Sequence, residues 1–273
     1  MQRFVNNFKT ALLLGGLFAL ILFIGSLWGR EGLVIAFFFG LATNFFAYFF
    51  SDKLAIAAMR GQQVDERSYP DLVHMVERLA RNANLPMPRV YVTPHDAPNA
   101  FATGRNPKNA AVAVTQGALR LLDYDELEGV MAHELAHVKN RDTLISAVAA
   151  TIAGAINFLA WMAMWERDMH PLVRMGLFIL APIAAAVIQM AISRSREFVA
   201  DHDAATMVGS PHGLISALRK LDGLNKRIPM QGEAPTYNHM FIVQPLNMAQ
   251  GLTKLFSTHP PMEERISALQ KLA

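Results

Sequence analysis

Four stretches of the chain contain no charged residue over a length that can cross a bilayer: residues 11–29, 32–51, 143–165 and 175–193. About 20 helical residues at 1.5 Å each span the hydrocarbon core. A buried core helix produces a similar run, but four in one chain favour membrane helices. The first run follows Arg3 and Lys9 like a secretory signal. Because Gly29–Arg30–Glu31 is a poor cleavage site, we predict a retained anchor.

The basic residues beside these spans predict their orientation. With both termini in the cytoplasm, the inner flanks carry eight basic residues and the outer loops carry three. Positive flanks remain on the cytoplasmic side. We therefore predict four parts: two membrane helices in residues 1–51, a first soluble segment at 52–142, two membrane helices in 143–193 and a second soluble segment at 194–273. Both soluble segments then face the cytoplasm and build one domain.

Patterns within the soluble segments predict mainly helices and a small sheet. Helical spacing of apolar residues marks "YPDLVHMVERLARNANLP" and "DYDELEGVMAHELAHVKNRD", with Asp123 as the cap of the second helix. "RVYVT" and "AAVAVTQGAL" are short and β-branched, and residues 99–104 add a third strand. The tail is expected to contain helices at "EFVADHDAATMVG", at residues 213–224 and after "STHPPMEERI", with a loop near residues 229–235.

Composition agrees with a membrane protein. Hydrophobic residues make up 52% and charged residues 17%, against about a quarter charged in soluble domains. The net charge is +3 and the basic residues flank the apolar blocks, so no nucleic-acid partner is expected. The absence of cysteine excludes disulfides, thiol catalysis and cysteine zinc sites, and is compatible with a reducing compartment.

His133, Glu134 and His137 form the pattern H-E-x-x-H. Residues four apart lie on one helix face, so both imidazoles can reach one zinc, while Glu134, rotated by about 100°, can act on water as a general base. The alternative is a surface helix with two solvated histidines. Together these residue types indicate metal-assisted amide hydrolysis.

A catalytic zinc needs a third protein ligand, and no third histidine follows in the pattern HExxHxxGxxH. Glu197 and Asp201 lie four apart in "SRSREFVADHDAA". We expect Glu197 to bind the metal and Asp201 to orient a zinc-bound histidine. Alternatively, both belong to a solvated, salt-bridged helix face.

"HELAH", "SREFVAD", "NAFATG" and "THPPMEERI", together with the four spans, resemble the HtpX-type membrane zinc metalloproteases, gluzincins related to the CAAX prenyl endopeptidase. The resemblance covers nearly the whole chain. It implies a zincin-like catalytic domain with one Zn²⁺ held by His133, His137 and Glu197, Glu134 as general base and Asp201 in the E-x-x-x-D motif. It also implies a multi-pass protease of the bacterial inner membrane that cleaves misfolded membrane proteins at the cytoplasmic face under stress, alongside other quality-control proteases.

Several other residues are candidates for a role in the site. Candidates to stabilise an oxyanion or gate the cleft are Arg194, Arg196, His202, Tyr237 and His259, and spacing selects none of them. His259 precedes two prolines and resembles a family motif, although such a histidine is often only a helix-entry turn. Asn99, Ala100 and Phe101 either line an edge where substrate adds as a strand or form a turn with a buried phenylalanine.

The zinc helix runs close to the third predicted span. His137 precedes Thr143 by six residues, so a continuous helix places the metal on the order of 10 Å from the start of the span. This spacing predicts an active site at the cytoplasmic surface of the bilayer.

Three alternative functions differ in what they require of the sequence. A prenyl-protein endopeptidase shares the chemistry, but four spans are too few for its large enclosed chamber. A zinc transporter needs ionisable residues inside its spans, and these spans have none. A non-catalytic zinc scaffold stays open, although Glu134 argues against it, and another divalent metal could replace zinc.

Overall fold

Two long apolar helices open the chain: α1 (Gln2–Ser26) and α2 (Gly29–Ala58). The computed structural model describes residues 2–26, 29–145, 175, 196–225 and 261–272. Within them, Gly29–Phe50 is long and apolar enough to cross a membrane, and Thr10–Phe23 is a shorter apolar helix. The first span was predicted to reach residue 29. That boundary is wrong, because α1 ends at Ser26 and Gly29, with φ 72°, already begins α2.

The helical hairpin exposes large apolar side chains on its outer face. Leu17 and Ile21 of α1 are buried with Ala36 of α2, whereas Ile35 is 69% and Phe38 65% exposed. A contiguous apolar surface of this kind is rare on soluble monomers and is typical of a surface that contacts lipid. The predicted spans at 143–165 and 175–193 and the loop at 229–235 lie outside the described residues, apart from 143–145 and 175.

A small mixed sheet follows, in the order β1–β2–β4–β3. Its middle pair is parallel and its two outer pairs are antiparallel. The predicted strands at "RVYVT" and within residues 99–104 are confirmed. The strands are β1 (Gln62–Gln63), β2 (Arg89–Thr93), β3 (Ala100–Thr103) and β4 (Ala111–Thr115).

The second half of "AAVAVTQGAL" is helical, so its prediction as strand is wrong. The strand ends at Thr115, and helix α4 (Gln116–Leu121) begins immediately after it. The Thr115 hydroxyl accepts the N–H of Ala118 at 3.1 Å. Threonine favours strands, but it also caps helix N-termini, and here the same residue does both.

The other predicted helices are confirmed among the described residues. Asp123 caps α5 as predicted and forms a reciprocal capping box with Glu126. The last helix begins at Met262, inside the motif after which it was predicted. The helices are α3 (Pro70–Asn82), α5 (Tyr124–Asn140), α6 (residues 196–208), α7 (His212–Asn225) and α8 (Met262–Gln270).

Helix α5 lies at the centre of the soluble core, between the sheet and α7. Leu135 and Ala136 of α5 are completely buried in the main hydrophobic cluster. A Cβ at Gly129 would lie 2.5 Å from the backbone nitrogen of Leu214, and one at Gly213 would lie 2.2 Å from the carbonyl oxygen of Asp125. The two helices therefore touch through their backbones, one turn before His133.

Candidate metal centre

The two histidines of H-E-x-x-H face each other on α5. Their ring centroids are 4.7 Å apart, and the two Nε2 atoms are separated by 3.2 Å. His133 is buried, and the side chain of His137 is 15% exposed. Helical spacing alone places the rings on one face, and the core packing of α5 holds them there.

Glu197, in the first turn of the described part of α6, reaches the same point. Its Oε2 lies 3.5 Å from Nε2 of His133 and its Oε1 lies 3.6 Å from Nε2 of His137. Ligand atoms at 2.0–2.2 Å from a tetrahedral zinc lie roughly 3.3–3.6 Å apart. The three separations, 3.2, 3.5 and 3.6 Å, are close to these values, and two imidazoles with one carboxylate are a donor set found in catalytic zinc sites. The two helices bring together the residues that were expected to bind metal.

A carboxylate contacts the other ring nitrogen of each histidine. Oδ1 of Asp201 lies 2.9 Å from Nδ1 of His133, and Oδ2 of Asp142 lies 3.1 Å from Nδ1 of His137. A carboxylate that accepts the Nδ1 proton leaves the Nε2 lone pair for a metal. Sequence reasoning had selected Asp201 for this position and had missed Asp142.

Asp142 reaches the site because α5 stops before it. The helix is not continuous from His137 to the third predicted span, which was the condition of the predicted spacing: Arg141 is left-handed, with φ 60°, and its N–H bonds to the carbonyls of His137 and Val138. Residues 142–145 are helical again. The break at Arg141 turns Asp142 back toward His137.

Arg265, on the last helix α8, was also missed by sequence reasoning. It is completely buried and donates to Asp201 from Nε at 2.9 Å and from Nη2 at 2.6 Å. Its Nη1 lies 3.4 Å from Oε2 of Glu197. Helical spacing could have found it, because Arg265 lies three residues after Met262 and four before Leu269 and so shares their inward face.

Burial and charge shift the pKa values in this cluster. Burial and the charge of Arg265 each lower the pKa of His133, but hydrogen bonds to Asp201 and Glu197 outweigh them and raise it to about 9. Burial raises the pKa of Asp201, and the Arg265 guanidinium reverses this and holds it below its usual value. Metal ligands must be deprotonated, so metal binding competes with the protonation of His133 that the two carboxylates favour.

Glu134 is buried on the side of α5 that faces the sheet, with 5% of its surface exposed. Burial raises its pKa, whereas the nearby histidines and a backbone hydrogen bond from Ala102 in β3 lower it. A glutamate with a raised pKa is a better proton acceptor in a hydrolytic reaction. The position of Glu134 beside both the histidines and β3 therefore suits a general base.

Strand β3 ends the sheet order and presents its main chain toward α5. The Thr115 N–H donates to the Asn99 carbonyl at 2.9 Å, so Asn99 faces β4. Because main-chain groups alternate along a strand, Ala100 and Ala102 face away from β4. The side chains of Asn99 and Phe101 are buried. Ala100 is completely buried as well, whereas Ala102 is partly exposed, so the outer side of β3 is accessible at Ala102.

The remaining candidates are divided between described and undescribed residues. Arg196 is buried, with Nη1 3.2 Å from the carbonyl oxygen of Asp142 and 3.5 Å from its carboxylate, so it supports the carboxylate behind His137. His202 is exposed on α6. Arg194, Tyr237 and His259 lie outside the described residues.

Comparisons with known proteins agree on one family. Residues 66–273 match the profile of peptidase family M48. The chain is 47% identical to "Protease HtpX homolog" of Pelotomaculum thermopropionicum, covering 98% of this chain and 100% of that protein. The identity to the protein of the same name from Persephonella marina is 50%, with 98% of each covered.

A more distant likeness shows the fold. The crystal structure of S. mikatae Ste24p superimposes with a TM-score of 0.53 at 20% identity, covering 98% of this chain and 66% of that one. The overall fold is thus shared with a solved structure.

Proposed function

The chain belongs to peptidase family M48 and is a metalloprotease, and from this premise we propose that it is a zinc endopeptidase acting on membrane proteins at the cytoplasmic face of a bacterial inner membrane. One observation carries the proposal. His133, His137 and Glu197 converge on one point while Glu134 lies between that point and an edge strand. A metal site, a general base and a strand edge that can bind an extended polypeptide therefore lie next to one another.

The proposed chemistry is general-base hydrolysis of an amide. His133, His137 and Glu197 would hold the zinc, which supplies a Lewis acid that activates water and polarises the peptide carbonyl. Glu134 accepts the proton of the attacking water and returns it to the leaving amine. Asp201 and Asp142 hold the two imidazoles through Nδ1, so the rings keep their orientation while charge develops.

We propose that the substrate binds as an added strand along β3. Main-chain pairing along β3 at Ala102, which is partly exposed, would hold an extended polypeptide with little dependence on its side chains. The backbone hydrogen bond from Ala102 to Glu134 ties this edge directly to the base. Such binding suits unfolded or damaged segments, which supports a role in quality control under stress, alongside other proteases with the same task.

The membrane location is supported by the apolar hairpin and by the family. Helix α2 carries the stretch long enough to span, and the sheet lies close to its end: Arg89 Nη2 donates to Asp52 at 2.5 Å. The catalytic domain therefore lies against the end of the hairpin. Cytoplasmic loops and ends of membrane proteins are the substrates that fit this location.

The alternative functions have less support. Relatives about half identical over nearly the whole chain are described as HtpX proteases, which favours a protease over a passive zinc scaffold. Nothing in the described residues favours a prenylated substrate.

The proposal predicts that Glu197→Gln lowers zinc affinity at least about 100-fold, since even partners of metal ligands contribute 10–100-fold and an amide is a weaker ligand than a carboxylate. The full-length chain is purified in detergent, its zinc is measured by mass spectrometry, and cleavage of an unfolded test polypeptide is followed during zinc titration. We expect cleavage to rise with zinc occupancy in wild type.

Asp203→Asn is the matched control, because Asp203 lies on the same helix but bonds to Lys139 and Asn140 instead of the histidines. It should keep wild-type zinc affinity. If the Glu197 variant binds zinc as tightly as wild type, Glu197 is not a metal ligand. If zinc-saturated wild type cleaves nothing, the proposed function is contradicted.

The proposed orientation predicts opposite labelling of two single-cysteine variants. The chain contains no cysteine, so each introduced thiol is the only target. In intact spheroplasts a membrane-impermeant maleimide should label His170→Cys, in the outer loop, and leave Arg67→Cys unlabelled until the cells are lysed. Labelling of the Arg67 variant in intact spheroplasts would place the catalytic domain outside.

A further inference from the structure

A cavity of about 690 Å³ lies where the N-terminal hairpin meets the soluble domain. It is separate from the convergence point of the two histidines and Glu197, none of which lines it. Its size is that of a typical small-molecule site. The described residues that line it are Thr10, Ala11, Leu14, Tyr48, Pro86, Arg105, Asn106, Pro107, Lys108, Arg141 and Leu144.

The lining combines positive charge with apolar surface. Three of its residues, Arg105, Lys108 and Arg141, are cationic, and none of the described lining residues is acidic. Leu14 and Leu144 contribute apolar surface to the same space. A ligand that matches this lining has an anionic group joined to a hydrocarbon part.

The contacts of Arg105 show where the cavity lies along the length of the hairpin. Its Nη1 lies 3.5 Å from the carbonyl oxygen of Phe49, and its guanidinium lies 5.2 Å from the Phe49 ring. The apolar stretch of α2 ends at Phe50. The basic side chains therefore lie where a span passes into the aqueous domain, which is the level of phospholipid phosphates in a bilayer.

We propose that this cavity binds the headgroup of an anionic phospholipid, with its phosphate at Arg105, Lys108 and Arg141 and the upper part of an acyl chain against Leu14 and Leu144. Basic pockets between membrane helices bind such headgroups because the two carry opposite charges. The inference requires α1 and α2 to be inserted in a bilayer and is independent of the protease activity.

The proposed site also adjoins the metal centre through the chain. Arg141 is the residue that ends α5, and the next residue, Asp142, contacts His137. A lipid bound at Arg141 would hold the C-terminal end of α5 at the membrane surface. The site therefore offers a physical reason for the catalytic domain to keep one orientation against the bilayer.

Native mass spectrometry of the full chain in detergent tests the proposal. The protein is mixed with equal amounts of phosphatidylglycerol and phosphatidylcholine, and the retained lipids are counted. Wild type should retain phosphatidylglycerol in preference. The double variant Arg105→Gln with Lys108→Gln should lose that retention by roughly 25-fold, since each basic residue near the surface contributes about fivefold.

A charge-matched control separates a site from general attraction. Arg67→Gln with Arg219→Gln removes two exposed cations that do not line the cavity and should retain the lipid like wild type. Ala11→Phe, which narrows the cavity without changing charge, should also reduce retention. Thermal unfolding in phosphatidylcholine alone checks that each variant is folded.

Three outcomes would overturn the proposal: equal retention of both lipids by wild type, equal losses in the control and cavity variants, or full displacement of phosphatidylglycerol by excess glycerol 3-phosphate. The last outcome would assign the cavity to a soluble phosphate ester. Retention that is selective, sensitive to the cavity variants and resistant to glycerol 3-phosphate supports the lipid.

Discussion

Replacing Glu134 with glutamine is expected to reduce cleavage by at least about a hundredfold while zinc stays bound. A positioned general base contributes typically 10²–10⁴-fold, and glutamine keeps the shape of the side chain but cannot accept a proton. Zinc should remain because its three proposed ligands, His133, His137 and Glu197, are unchanged and converge without Glu134. The measurement is cleavage of an unfolded polypeptide at equal zinc content.

Glu128→Gln is the control for this change. Glu128 lies on the same helix but pairs with Arg78 at 2.6 Å, on the outside of α5, so its variant should cleave at the wild-type rate. If Glu134→Gln cleaves as fast as wild type, another group is the base. If it loses zinc instead, Glu134 belongs to the metal site and the assigned roles must change.

The proposed base and metal ligands were predictable because their signals are local. The pattern H-E-x-x-H, the acidic cap at Asp123 and the apolar spacing all lie within one helix, and each acts over four residues or fewer. Strand β2 was equally clear because three of its five residues are β-branched. Glu197 required a further premise, since only the need for a third ligand connected it to a helix 60 residues away.

The residues behind the ligands were harder to predict because they depend on tertiary structure. Asp142 reaches His137 only through the left-handed backbone of Arg141, a conformation that glycine or asparagine usually adopts. The helical spacing of Arg265 placed it on the buried face of its helix. Sequence reasoning does not expect a charged residue there unless the partners that neutralise it are known. Its partners Asp201 and Glu197 lie on another helix.

Replacing Arg265 with methionine is expected to destabilise the catalytic domain by about 3–5 kcal/mol, which is the usual result of removing one partner from a buried ion pair. Asp201 is 1% and Glu197 3% exposed, so neither carboxylate can regain water in the folded state. Methionine fills similar space without a charge. Thermal unfolding followed by circular dichroism should show a midpoint at least about 6 °C lower.

Two further variants separate buried charge from other causes. Arg78→Met removes a cation from a pair whose arginine is 46% exposed, where pairs contribute about 0–1 kcal/mol, so its midpoint should change little. Arg265→Lys keeps the charge but loses the two-point bond to Asp201 and should fall between methionine and wild type.

Zinc provides the decisive comparison for Arg265. In the metal-free methionine variant, Asp201 and Glu197 both lack their cation, whereas bound zinc would neutralise Glu197 and leave only Asp201 uncompensated. The loss of stability should therefore be larger after chelation than with zinc present. An equal loss in both states would mean that Arg265 acts only through Asp201 and the packing of α8. No loss in either state would mean that the guanidinium does not hold the two helices together.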